Sequence, residues 1–328
     1  MTRRTLRTAA AATVLATTLA ACSGTGSGDG GAGSPDGAGA EVLASFYPLQ
    51  YVAERVGGDR VQVDSLTPPG AEPHDLELAP ADVARLGEAS VVVYLSGFQP
   101  AVDDAVAQTS PEHLVDAAAH AERAGTDDHA DEESAEADDH SAETDDHAAE
   151  DEHAGEAGAD PHLWLDPTLL AEVAVDVADE LAAADPDNAQ EYEANAETLA
   201  GELTALDEEF TTGLAQCEIR TVVVAHEAYG YLAEAYDFEQ VGISGIDPDT
   251  EPSPARLAEI GDVVRAEGVT TIFTESLVNP KVAETLADDL GVETAVLDPL
   301  EGLADDSKDY QVVMRENLAA LREALACA

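Results

Sequence analysis

Residues 188–216 contain no proline and two glycines, Gly201 and Gly213, and are dominated by Ala, Glu and Leu, with Leu199, Leu203, Leu206 and Phe210 at helical intervals. Apolar side chains spaced three or four apart, with no proline between them, predict one continuous helix with a single buried stripe. Asp185-Pro186-Asp187-Asn188 just ahead supplies a start, because an acidic or amide side chain there can cap free backbone N–H groups. At 1.5 Å per residue the helix is about 40 Å long, more than one small domain needs. It reads as a strut with a domain at either end.

The flanking segments fit that reading. Val42–Phe46 and Val91–Leu95 are short β-branched runs, Val61–Leu66 alternates apolar with polar, and Leu49–Val56 and Ala81–Leu86 carry apolar residues at helical spacing. After the strut, Thr221–Ala225, Val269–Phe273 and Glu293–Leu297 are expected as buried strands, and Pro254–Glu267 and Lys281–Leu290 as helices. A last helix is expected over Ser307–Ala326, with Val312, Val313, Leu318, Leu321 and Leu325 inward. Strands alternating with helices predict an α/β protein built from parallel sheets and crossover units. The expected division is a leader over residues 1–21, a tether over 22–40, an N-terminal lobe over 41–186, the linker helix over 187–216 and a C-terminal lobe over 217–328.

The leader carries Arg3, Arg4 and Arg7 ahead of an apolar, Ala-rich run from Ala9 to Ala21, too short to remain as a bilayer-spanning helix. Leu19-Ala20-Ala21-Cys22 resembles a bacterial lipoprotein cleavage site, so Cys22 is expected to become the lipidated first residue; the Arg3-Arg4 pair leaves a twin-arginine export route open. Residues 23–40 are almost wholly Gly, Ser, Ala, Thr and Asp, a flexible tether reaching on the order of 20 to 25 Å. The expected location is therefore the outer face of a cytoplasmic membrane.

Within residues 120–160 an acidic pair precedes a histidine four times: Asp127-Asp128-His129, Asp138-Asp139-His140, Asp145-Asp146-His147 and Asp151-Glu152-His153. Almost no apolar residue larger than Ala interrupts the tract, so it is expected to stay a solvated loop. Imidazoles among carboxylates suit weak capture of divalent metal, which nominates His120, His129, His140, His147 and His153 as auxiliary ligands. The formal net charge is −55, or −58 without the three leader arginines, which excludes nucleic acid as a partner. Beyond Cys22 the cysteines are Cys217 and Cys327, which an exported compartment allows to pair; free thiols ligating zinc are the alternative.

Outside the tract and His113, to which no role is given, three histidines remain. His74 lies in a proline-rich loop after the second expected strand, His162 lies in Asp160-Pro161-His162-Leu163-Trp164-Leu165-Asp166-Pro167 before a helix, and His226 leaves a strand at its carboxyl end. That edge is where open α/β sheets bind ligands.

Pro73-His74-Asp75 with Glu77 and Pro80, the Asp160–Pro167 block, His226-Glu227-Ala228-Tyr229-Gly230-Tyr231, Glu251-Pro252-Ser253-Pro254 and Leu297-Asp298-Pro299-Leu300 together resemble the metal-binding solute receptors of bacterial ABC transporters, in their zinc branch. The match covers nearly all of residues 41–328 in order. The resemblance implies two lobes, each a small mainly parallel sheet flanked by helices, joined by one rigid helix, with the metal in the cleft between them. It implies His74 and His162 as ligands from the first lobe and His226 and Asp298 from the second, with Asp298 also following a strand; water or Glu275 is the alternative fourth neighbour. Glu227 and Glu275 are the candidates for supporting contacts behind the ligands, and Glu227 stands where the family more often has Asp, which puts its own contact in question. Manganese-selective relatives carry a carboxylate where His226 stands. Three imidazoles and one carboxylate favour Zn2+, whereas manganese prefers more oxygen.

The resemblance implies a monomeric zinc receptor that is not an enzyme and that serves an ABC permease and its ATPase, anchored through Cys22. A manganese receptor and a surface zinc-buffering or adhesion lipoprotein are the rival readings. A zinc hydrolase fits poorly, because His226-Glu227 lacks a second histidine at metalloprotease spacing and four protein ligands leave no open position for water.

Overall fold

The computed structural model describes residues 39–124 and 160–328. The expected leader, Cys22, the tether up to residue 38, and His129, His140, His147 and His153 lie outside them, while Ala40, expected in the tether, already belongs to the first strand. The first lobe runs β1 (Ala40–Ala44), α1 (Tyr47–Gly57), β2 (Val61–Ser65), α2 (Pro80–Glu88), β3 (Val91–Tyr94), α3 (Pro100–Thr109), β4 (Leu114–Asp116), α4 (Ala118–Ala124) and α5 (Pro167–Ala184). The linker helix α6 (Ala189–Leu214) follows. The second lobe runs β5 (Thr221–Val224), α7 (Gly230–Ala235), β6 (Glu239–Gly242), α8 (Pro254–Glu267), β7 (Thr271–Thr274), α9 (Lys281–Leu290), β8 (Glu293–Val296) and α10 (Tyr310–Ala324).

Each lobe holds a four-stranded sheet, ordered β2-β1-β3-β4 and β6-β5-β7-β8, and every strand pair is parallel. In both, the chain reverses its direction of travel across the sheet beside the first strand, and this switch point opens a crevice at the carboxyl ends of the strands. Helix starts follow local chemistry. Pro80, Pro100, Pro167 and Pro254 stand at the first positions of α2, α3, α5 and α8, where a missing N–H costs nothing. Asp166, Ser253 and Asp309 accept from the first-turn amides of α5, α8 and α10.

Helix α6 buries Tyr192, Ala196, Leu199, Leu203, Leu206, Phe210 and Leu214, the stripe expected from its spacing. At 1.5 Å per residue its 26 residues span about 39 Å. It packs along α5 and also touches α1 and α10, so it joins both lobes along one core. Its start differs from expectation: Asn188 makes no cap bond to the backbone, and Asp185 instead accepts from the side chains of Asn188 and Tyr192. Val312 also differs, being 42% exposed, because the buried face of α10 runs through Tyr310, Val313, Met314, Asn317, Leu318 and Leu321 and leaves position 312 off the stripe.

The lobes meet on Trp164, which is 1% exposed. Its indole N–H donates to the carbonyl of Pro299 at 2.8 Å, and its own carbonyl accepts from Tyr310 Oη at 2.7 Å. The ring packs at 4.7 Å and 5.4 Å from those of Phe46 and Phe98. Cys217 and Cys327 form a disulfide across 110 residues, tying the chain's end to the start of the second lobe. Closing a loop of that length stabilises by about 4 to 5 kcal/mol in the chain-entropy picture. Among the described residues, no helix is long and apolar enough to cross a membrane.

Candidate metal centre

Four side chains converge at the crevice between the lobes. His74 comes from the loop between β2 and α2, which Gln99 anchors by donating to Pro73 O and Thr67 Oγ1. The His74 amide donates to the Glu72 carboxylate, and its ring stands edge-on to Phe98 at 4.7 Å. His162 opens a short 3₁₀ turn over Leu163–Leu165, with its amide and Nδ1 both meeting Asp160 Oδ1, at 2.9 and 2.7 Å. His226 lies just past β5, with its amide and Nδ1 both meeting Glu275 Oε1, at 3.2 and 2.8 Å. Glu275 itself directly follows β7.

The fourth side chain is Glu301. Its Oε1 lies 3.2 Å from His74 Nε2, 3.1 Å from His162 Nε2 and 3.1 Å from His226 Nε2. The four potential ligand atoms all fall within 4.8 Å of one another, and His162, His226 and Glu301 are buried. A tetrahedral zinc with bonds near 2.1 Å separates its ligand atoms by about 3.4 Å, so the carboxylate-to-imidazole spacing is close to that of a formed site. Asp160 and Glu275 engage the Nδ1 atoms of two rings and so turn both Nε2 atoms toward the centre. This set fits Zn2+.

Electrostatics give the metal-free state a distinct character. Burial alone would raise the pKa of Glu301, but hydrogen bonds from His162, His226 and His74 overturn that and hold its carboxyl well below the usual range. Burial alone would lower that of His226, yet Glu275 and Glu301 on either side push it up to about 10. His162 is raised for the same reason, against its burial, by Asp160 and Glu301. Burial, joined by Glu301 and Asp249 and opposed by His74, pushes the Glu72 carboxyl up to about 7. Without metal, imidazolium protons therefore balance the buried carboxylates.

The structure brings together the three histidines that the sequence marks, and it places Glu301 rather than Asp298 beside them. The reason is local. Asp298 Oδ1 accepts from the amide of Leu300 at 2.8 Å, and its backbone N–H and C=O are both taken by Asn317 of α10. Leu300 then adopts φ of 59°, a left-handed conformation that a leucine enters only under tertiary constraint, and the turn delivers Glu301 into the crevice. The only signal in sequence is the Asp298-Pro299 pair, a turn former whose carboxylate serves its own backbone.

Other expectations shift as well. Glu227 accepts from Arg256 at 3.3 Å, and it is Glu275 that meets the His226 ring. His120, grouped with the solvated tract, belongs instead to α4 and is buried, with Nδ1 2.8 Å from Glu172 and Nε2 2.7 Å from Asp176, one turn apart on α5. Both ring nitrogens are thus engaged by carboxylates, and the folded body extends further into residues 120–160 than composition suggests. His113 pairs with Glu180 of the same helix at 3.0 Å.

The family model described as ZnuA, zinc-uptake complex component A, periplasmic, matches residues 42–324. The high-affinity zinc uptake system protein ZnuA of Bacillus subtilis is 36% identical over 289 residues, covering 87% of each chain. The zinc-binding protein AdcA of Streptococcus pyogenes is 33% identical over 298 residues, 86% of this chain but 55% of that longer protein. Among solved structures, the Zn(II)-bound ZnuA-like domain of Streptococcus pneumoniae AdcA superposes with a TM-score of 0.68 at 30% identity, covering 88% of this chain and 99% of that one. The laminin-binding adhesin Lmb of Streptococcus agalactiae gives a TM-score of 0.72 at 33% identity, covering 88% and 100%. With its sheets, strut and histidine cluster accounted for, the chain belongs to the ZnuA family of zinc-uptake solute receptors.

Proposed function

We propose that this chain captures Zn2+ outside the cytoplasmic membrane and hands it to an ABC permease driven by a cytoplasmic ATPase. The observation that carries the reading is the convergence of three Nε2 atoms on one Glu301 oxygen at 3.1 to 3.2 Å. Zinc is cargo here. Four protein ligands close the coordination shell and leave no place for an activated water, so the site is built to hold and release rather than to catalyse. Three nitrogens and one oxygen favour zinc over manganese.

His74 and His162 belong to the first lobe and His226 and Glu301 to the second, so a small displacement of one lobe pulls two ligands from the other two. The Trp164 contact with Pro299 couples that displacement to the turn carrying Glu301. In this account the receptor acts as a monomer tethered by lipidated Cys22, and the histidine tract gathers zinc loosely. The test is uptake of radioactive zinc at limiting concentration by cells lacking the chain. Restored uptake with the native chain, and none with His226→Ala, supports the reading; uptake indifferent to the chain refutes it. Laminin binding, by analogy with the laminin-binding adhesin Lmb, is the second reading, and binding of immobilised laminin by the native chain would support it.

A further inference from the structure

Two carboxylates engage the Nδ1 atoms of ligand rings, and their surroundings differ. Glu275 serves His226 from within the second lobe, and its side chain is 1% exposed. Asp160 serves His162 within the first lobe, but its second oxygen lies against Gly230, the first residue of α7 in the other lobe. A Cβ at Gly230 would overlap Asp160 Oδ2 and would stand 3.3 Å from Asp160 Cγ and 3.5 Å from Gln240 Nε2. Gly230 has no left-handed φ, so the backbone does not call for glycine there; the close approach of Asp160 does.

The carboxylate has little room to yield. Its Oδ1 accepts from the His162 amide at 2.9 Å and meets His162 Nδ1 at 2.7 Å, and the two oxygens of a planar carboxylate move together. The segment around Gly230 is also fixed. Gln240 Oε1 of β6 accepts from the Tyr229 amide at 2.8 Å, and the buried Tyr229 donates from Oη to the Leu297 carbonyl at 2.7 Å, just ahead of the turn that carries Glu301. Helix α7 packs against the 3₁₀ turn that follows His162. A bare Cα on a fixed segment of one lobe thus meets a ligand-orienting carboxylate of the other.

We propose that Gly230 is a positioning residue for zinc binding: its bare Cα is the seat into which Asp160 fits when the lobes close, so that closure itself sets the orientation of His162. The proposal rests on the zinc-receptor reading of the histidine cluster. Gly230 acts on the metal through Asp160 and His162, and opening of the lobes removes the seat and frees His162 as a ligand. His226 is indifferent to this device, because Glu275 orients it from inside its own lobe.

The test is a double-mutant cycle on the full chain, in which the native protein, Gly230→Ala, Asp160→Ala and the two together are titrated with zinc by chelator competition. Gly230→Ala is expected to weaken binding about 10- to 100-fold, the range for lost support behind a metal ligand, with faster chelator-driven release. In the Asp160→Ala background the colliding carboxylate is gone, and the same substitution is expected to change affinity by less than about twofold. The double variant is expected to melt no lower than Asp160→Ala alone, because alanine suits a helix at least as well as glycine. Long-range proton–nitrogen NMR of zinc-saturated Gly230→Ala is expected to shift the ring resonances of His162 and leave those of His226 in place, which a general loosening of the fold would not do. Gly230→Ala binding within about twofold of native, or an equal loss in both backgrounds, overturns the proposal. Ring shifts at His226 as large as those at His162, or a double variant that melts below Asp160→Ala, overturns it as well. All of these leave the receptor reading intact. Failure of the native chain to bind zinc tightly overturns the receptor reading itself.

Discussion

Zinc must displace protons to enter this site, and the size of that effect follows from the metal-free electrostatics. With the pKa of His226 pushed up to about 10 by Glu275 and Glu301, its imidazole is almost wholly protonated between pH 6 and 8, yet it must be neutral to bind metal. Each unit of acidification then costs about tenfold in apparent affinity, or about 1.4 kcal/mol. Lowering the pH from 8 to 6 is expected to weaken zinc binding at least about 100-fold, with His162, also raised, adding to the slope. Calorimetric titration in buffers of different ionisation enthalpy should find at least about one proton released per zinc at pH 7.

Stability of the metal-free chain carries the same sign. A group raised on folding contributes fully below its ordinary value of 6.5 and loses that contribution as pH rises through about 10. The melting temperature of metal-free protein should therefore fall across that window, while the zinc-loaded protein, whose imidazoles are already neutral, should show no such loss. Affinity flat from pH 6 to 8 with no proton release would refute the reasoning, because the imidazoles would then be neutral before zinc arrives.

Three further outcomes follow from specific contacts. Glu275→Gln removes the charge that orients His226 and is expected to weaken zinc binding about 10- to 100-fold in chelator competition, lowering the melting temperature of the loaded protein accordingly; equal affinity would remove Glu275 from the account. Trp164→Ala empties a fully buried position and frees the Pro299 carbonyl, so denaturant unfolding should show a loss of about 3 to 5 kcal/mol, accompanied by weaker zinc binding through the loosened Glu301 turn. Replacing Cys217 and Cys327 together by serine should cost about 4 to 5 kcal/mol of stability while zinc stoichiometry stays at one tight site, since neither sulfur lies among the ligands.

What could be read in advance was what depends on periodicity and punctuation. Helix α6 follows from spacing alone, and the N-terminal prolines of α2, α5 and α8 mark their starts. Strand β6, Glu-Gln-Val-Gly at the sheet edge, has no apolar run and is found only by its pairing with β5. His74, His162 and His226 stand out because each sits at a strand end or in a loop between elements, in a chain otherwise poor in isolated histidines. Glu301 does not, because its placement depends on a left-handed leucine and on an indole contributed by the other lobe. His120 is misjudged for the same kind of reason. Its neighbours in sequence look like a solvated tract, whereas its partners Glu172 and Asp176 lie on a helix far along the chain.

The central claim is that His74, His162, His226 and Glu301 form the one tight zinc site. Its most direct test is chelator-competition titration of zinc into the native chain, Glu301→Gln, Asp298→Asn and a chain lacking residues 125–159. If about 10 to 16 kcal/mol of binding is shared by four ligands, losing one costs about 2.5 to 4 kcal/mol, or roughly 10²- to 10³-fold. The account predicts that loss for Glu301→Gln, a much smaller one for Asp298→Asn, and a tight site retained without the tract. A larger loss at Asp298 than at Glu301, or no tight site once residues 125–159 are gone, would contradict it.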